Sequence, residues 1–223
     1  MIRSCLIALL LCGTPGTFSF ADDDLKQRLA RDHGADRLDE VETLRFTFNV
    51  QRGDGPITSR TWRWNPTTTE VTRTIKKQVV TYRRSELGDD TDAKIKQADK
   101  QFINDSFWLL PAMHVGWSGD EVKVESHGEA DLPIGDGRGE HVVVTYPRSG
   151  GGYTPGDVYE LFLDDEGLIT AWVFRRGGSE NPSLITTFED YAKHGPLMIA
   201  MEHKNRDGTF RLWFSDVAVE LNE

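Results

Sequence analysis

The chain has 223 residues, with 26 Lys and Arg against 36 Asp and Glu and a formal net charge of −10 at pH 7. That length suits one domain, and an acidic surface without a basic tail or face argues against nucleic acid and against electrostatic docking on anionic membranes. Hydrophobic residues make up 38% and aromatic residues 10%, enough for a packed core and too much for wholesale disorder.

Residues 1–21 read as a signal peptide. Arg3 supplies the basic start, Cys5 to Cys12 is apolar, Gly13 to Gly16 breaks the run, and Ser19-Phe20-Ala21 offers small residues where a signal peptidase reads. Cleavage after Ala21 leaves a mature domain of residues 22–223, exported to the periplasm. The apolar run of about 8 residues is too short for a bilayer, which needs roughly 20, and no other stretch approaches that length. Both cysteines, Cys5 and Cys12, lie in the leader, so the mature chain is expected to carry no disulfide, thiol nucleophile or thiolate ligand. Leu9-Leu10-Leu11-Cys12 loosely imitates a lipidation motif, but the bulky Leu11 argues against anchoring at Cys12.

From Asp24 to His33, Leu25, Leu29 and Ala30 suit a short amphipathic helix that stops at Gly34, and a second helical turn spans Asp36 to Val41. Period-two alternation then begins, with Leu44, Phe46, Phe48 and Val50 on one strand face. Arg52-Gly53-Asp54-Gly55-Pro56 is turn chemistry, and the next strand, Ile57 to Trp64, carries Trp62 and Trp64 opposite Arg63. Asn65-Pro66 ends it. Glu70 to Ile75 and Gln78 to Arg84, joined at Lys76-Lys77, complete four sequential antiparallel strands.

Ala93, Ile95, Ala98, Phe102 and Ile103 predict a central helix from Asp92 to near Asn104. Phe107-Trp108-Leu109-Leu110-Pro111 lacks polar alternation and should be buried or plug something. Strand patterning resumes at Val122 to Ser126, His141 to Tyr146, Val158 to Leu163, Leu168 to Arg175, Leu184 to Tyr191, Leu197 to His203 and Phe210 to Leu221. Asp164-Asp165-Glu166-Gly167 and Asn205-Arg206-Asp207-Gly208 read as hairpin turns. The total is about eleven strands, a β-dominated α+β chain whose sheet edges need closure or cover.

No G-x-S-x-G elbow is present, and Ser149 stands in a glycine-rich loop. The six histidines, His33, His114, His127, His141, His194 and His203, form no H-x-x-x-H pair, so neither a metal nor a cofactor is signalled. Gly135-Asp136-Gly137-Arg138-Gly139 precedes a strand rather than a helix and reads as a loop, not a phosphate cradle. The anomaly is aromatic: Trp62, Trp64, Trp108, Trp117, Trp172 and Trp213 either fill a core or line a ligand cavity, because a barrel of around eleven strands can be too wide for side chains alone to fill.

An N-terminal helix, four strands bearing Trp62-Arg63-Trp64-Asn65-Pro66, a central helix and seven further strands together resemble the LolA-like (lipoprotein-carrier-like) superfamily. Asn104 to Pro111, Gly151 to Asp157 and Thr186 to Asp190 look like a branch of exported bacterial proteins within it. The resemblance implies a half-open antiparallel β-barrel with helices covering the mouth and an apolar cavity that accepts acyl chains. On that basis the expected function is non-enzymatic: a monomeric periplasmic protein that binds a hydrophobic small molecule, a lipid or a lipidated protein. Candidate lining residues are Phe46, Phe48, Trp62, Trp64, Trp108, Leu110, Leu161, Phe210, Leu212 and Phe214, on the assumption that their faces point inward. A filled barrel that binds an envelope protein through loops such as Ser149 to Gly156 is the alternative. A hydrolase assembled from distant strands is a third reading.

Overall fold

The computed structural model describes residues 22–149 and 155–223, so the leader read in residues 1–21 and the motif residues Gly151 to Thr154 lie outside the described residues. Helix α1 (Asp22–Asp32) is followed by a 3-10 turn (Ala35–Glu40) and four strands: β1 (Val41–Arg52), β2 (Thr58–Trp64), β3 (Glu70–Ile75) and β4 (Gln78–Arg83). Two helices come next, α2 (Ala93–Leu109) and α3 (Pro111–Gly116). The remaining strands are β5 (Lys123–Asp131), β6 (Arg138–Thr145), β7 (Val158–Leu163), β8 (Ile169–Arg175), β9 (Leu184–Thr187), β10 (Glu189–His194), β11 (Leu197–Lys204) and β12 (Phe210–Leu221).

These strands form two antiparallel sheets, one of seven in the order β10-β11-β12-β1-β2-β3-β4 and one of five in the order β5-β6-β7-β8-β9. The expected half-open barrel is present in this form, with the sheets not closed on one another. In β1 the alternation faces the core as its pattern suggests: Leu44, Phe46 and Phe48 are buried, as is Trp62 beside them on β2.

Two details differ from the sequence reading. The single strand expected over Leu184 to Tyr191 is two strands in two sheets, β9 on β8 and β10 on β11. At the crossing, the Phe188 N–H donates to Thr170 O at 2.7 Å and Asp190 takes a left-handed φ of 56°, which breaks the run. Alternation records which face a residue occupies, not which partner it pairs with, so it cannot reveal such a change of sheet. The central helix also runs past Asn104 to Leu109. It stops only where Pro111 opens α3 and the Leu110 N–H closes back on Ser106 O.

Most of the buried apolar residues fall into two large cores, beside a small third cluster of Phe162, Ala171 and Val173 on β7 and β8. One joins α2, through Ala98, Phe102 and Leu109, to Phe46, Trp62 and Val71 of the seven-stranded sheet. The other joins α1 and α3, through Leu29 and Val115, to Val124, Val142 and Leu161 of the five-stranded sheet. At Gly116 a Cβ would lie 2.5 Å from the Ala30 Cβ, so glycine is what lets α1 and α3 pack this closely. Trp108 packs against both cores.

At the seam between the sheets, Lys204 N–H donates to Thr187 Oγ1 at 3.2 Å, and the fully buried His203 places Nδ1 3.2 Å from Thr187 O. Phe188 and Trp108 surround the His203 ring, with centroids at 4.4 and 5.4 Å. Burial drops the His203 pKa from 6.5 to about 3, so the folded protein holds this imidazole neutral while the unfolded chain protonates it below about 6.5. The His203 contribution to stability is therefore whole above about pH 6.5 and is lost progressively as the pH falls toward 3, and buried His114, also lowered to about 3, adds a contribution of the same sign. Denaturant midpoints measured from pH 7 to 4 should fall, and His203→Gln should make that fall shallower without abolishing it; an unchanged slope in the variant would contradict this assignment.

Candidate functional site

One face of α2 carries Ala98, Phe102, Asp105 and Leu109 at helical spacing, all buried. A carboxylate in such a stripe needs partners, and the inward face of β2 provides them. Arg60 Nε and Nη2 donate to Asp105 Oδ2 and Oδ1, each at 2.6 Å, Trp62 Nε1 donates to Oδ2 at 2.8 Å, and Asn104 Nδ2 donates to Oδ1 at 3.0 Å. Asp105 has no exposed side-chain surface and Arg60 only 13%. Burial pushes the Asp105 carboxyl upward and Arg60 opposes that rise. The four donors, two of them a guanidinium fork, hold it as a carboxylate. Asp99 makes a second tie to the sheet, accepting from Arg84 Nε at 2.9 Å and Tyr82 Oη at 3.2 Å.

Held in this way, α2 forms one wall of a groove that opens between the sheets. A hollow of about 660 Å³ lies between α2 and strands β7 and β8, walled by Phe107, Trp108, Tyr159, Trp172 and Phe174. A second, of about 520 Å³, lies against β1 and β12, walled by Phe48, Val50, Leu184, Phe210 and Leu212. The two adjoin, sharing Arg60, Asn104, Trp108, Phe174 and Arg176. Both volumes fall within the roughly 300–1,000 Å³ of small-molecule sites. A third hollow, of about 600 Å³ at the start of α2, has Leu87 as its only large apolar lining residue.

Trp108 is the pivot of the groove, with ring centroids 4.4 Å from Trp172 and 5.8 Å from Phe210. The indole N–H of Trp172 is buried without an acceptor among the described residues. Burial also pushes the Tyr159 hydroxyl well above its ordinary range, so that it stays protonated. Ser106 and His114 are joined by a 3.0 Å Oγ to Nε2 hydrogen bond, but Ser106 is only 2% exposed and lines neither large hollow. Among the described residues no group of three or more His, Cys, Asp and Glu could hold a metal ion.

Of the residues named from sequence, Trp108 lines both hollows, and Phe48, Phe210 and Leu212 line the second. Phe46, Trp62, Leu110 and Phe214 pack in the seven-stranded sheet's core and Leu161 in the other, each with at most 4% exposure. Trp64 is half-buried between Phe102 and Trp117. The sequence reading did not select Phe107, Tyr159 and Phe174 as lining residues, nor Arg60, Lys100 and Arg176. Tyr159 and Leu161 share a strand face, as do Trp172 and Phe174, so alternation within β7 and β8 was the available signal.

No protein-family model and no curated protein sequence matches the chain. Among solved structures, it is similar to a LolA superfamily protein from Nitrosomonas europaea, with a TM-score of 0.51 and 6% identity over 90% of this chain and 94% of that one. The fold is LolA-like. Also similar to this LolA-like chain are a DUF1329 family protein from Desulfovibrio piger (TM-score 0.48, 10% identity, 89% and 93% covered) and a putative outer membrane lipoprotein-sorting protein domain from Vibrio parahaemolyticus (0.47, 10%, 89% and 92%). No helix among the described residues is long and apolar enough to cross a membrane.

Removing one partner of a buried ion pair strands the other, at a cost of roughly 3–5 kcal/mol. Asp105→Ala should therefore lower stability by about that amount in chemical denaturation, whereas Arg37→Ala, which breaks an exposed pair with Glu40, should leave the midpoint nearly unchanged. Equal effects of the two would contradict the structural role given to Asp105.

Proposed function

We propose that this protein is a non-enzymatic binding protein that holds the alkyl chain of a lipid, or of a lipidated protein, in the groove between its two sheets. The observation that carries this reading is the aromatic and aliphatic wall around two adjoining hollows, formed jointly by α2, β1, β12, β7 and β8. Each buried CH₂ contributes about 0.8 kcal/mol, so a long chain gains affinity without any charged partner. On the leader read in residues 1–21 we place the protein in the periplasm, where a monomer would keep such chains out of water.

The packing also determines the test. Trp62 is fully buried and hydrogen-bonded to Asp105, so a charge there would disrupt the fold rather than probe binding. Phe174 is half-buried and lines both hollows, so Phe174→Glu is the suitable probe. Native mass spectrometry of protein purified gently from an exporting host, with organic extraction, should show a co-purifying acylated molecule that Phe174→Glu loses while keeping its circular dichroism spectrum. A clean apo mass that persists after incubation with mixed lipids would overturn the reading and favour a module that docks a protein partner.

A further inference from the structure

We propose that the groove selects anionic amphiphiles, with the alkyl chain on the aromatic wall and a carboxylate or phosphate head held at the mouth by Arg52, Lys100 and Arg176. This rests on the groove reading above and adds a head-group preference to it. The chain as a whole has a net charge of −10, yet the two adjoining hollows are lined by four cations, Arg52, Arg60, Lys100 and Arg176, against one carboxylate, Asp157. Charge at the groove therefore runs opposite to the charge of the protein, and such a local field concentrates ligands of the complementary sign.

The four cations are not equivalent. Arg60 is bound by Asp105. Asp157 is also occupied, accepting from the Gly177 N–H at 2.7 Å. Arg52, Lys100 and Arg176 make no ion pair among the described residues, and all three are exposed. They are also spread around the opening: Arg52 ends β1, Lys100 lies on α2, and Arg176 follows β8. The Arg52 guanidinium stands 5.6 Å from the Phe210 ring centroid, which places a charge directly at the edge of the apolar wall.

Exposed cations beside a buried apolar surface match a molecule whose tail leaves water while its head stays hydrated. A fully buried anion would need enclosed donors instead, and a cationic head would be repelled. A neutral head would gain nothing from the three charges. Carboxylate and phosphate both satisfy the site, so the test includes one of each.

The experiment is displacement binding, below micelle concentrations, of palmitoyl compounds that share a chain and differ in head group: palmitate, lysophosphatidate, lysophosphatidylcholine and monopalmitin. At low salt, palmitate or lysophosphatidate should bind about ten-fold tighter than the zwitterionic and neutral compounds, and the advantage should shrink as salt shortens the Debye length. Which of the two anions binds more tightly identifies the head as carboxylate or phosphate. The triple variant Arg52→Gln, Lys100→Gln, Arg176→Gln should bring that advantage close to parity. Equal binding of all four compounds, or a preference that survives in the triple variant, would overturn the head-group inference while the groove reading stands. Failure of every compound to bind would overturn both.

Discussion

The contact among Arg60, Trp62 and Asp105 sets the position of α2, and the rest of the groove follows from it. A buried ion pair is a weak source of net stability, because desolvation offsets most of the attraction, but it discriminates sharply between arrangements. If α2 slid by one turn, about 5.4 Å, so that Asp105 took the place of Leu109, its carboxylate would meet an apolar core and both charges would be stranded; in the opposite direction it would leave Arg60 unpaired and displace Gln101 from Arg73. The helix therefore has one docked register. In that register Trp108, three residues beyond Asp105, stands between the sheets, while Ala98, Phe102 and Leu109 fill the core beneath.

The two-core arrangement accounts for the open groove. Each sheet has its own apolar packing, and Trp108 packs against both. The chain crosses from one sheet to the other at Phe188, and the Thr187 hydroxyl with the Lys204 N–H, together with the His203 ring on Thr187 O, secures that seam. Tyr191 of β10 adds a tie to β8, its Oη donating to Ile169 O at 2.9 Å, but at the groove the sheets part, so the aromatic residues of β8 and the apolar residues of β12 face one another across free volume instead of interlocking. A closed barrel of this strand number would have to hold such volume inside; an open one leaves it reachable from one side.

Much of this was legible in the sequence because it depends on local periodicity. The alternation of Leu44, Phe46, Phe48 and Val50 marks a face, and Ala98 with Phe102 marks a helix. The bulky Phe107 to Leu110 segment announced burial, although its helical form past Asn104 was hidden by the polar Asn104, Asp105 and Ser106. Those residues look like a helix end until Arg60 is known to lie opposite. Whether a buried aromatic fills a core or borders a hollow depends on sheet separation, which no spacing encodes; hence Trp62 and Phe46 pack tightly while Phe174 lines free volume. Net charge was the least informative guide, since the acidic total conceals Arg52, Lys100 and Arg176 gathered at one opening from three distant segments. Conversely, the strand change at Phe188 requires a hydrogen bond to Thr170, a long-range fact with no periodic signature.

The most direct test of the central claim, that the groove holds an alkyl chain, is photo-crosslinking with a palmitate analogue carrying a diazirine near the chain terminus, followed by peptide mapping. The account predicts adducts on Ile103 to Trp108, on Trp172 to Phe174 and on Phe210 to Leu212, competed away by unlabelled palmitate. Adducts confined to the outer faces of the sheets or to the exposed edge of β4, or labelling that unlabelled palmitate does not reduce, would contradict it.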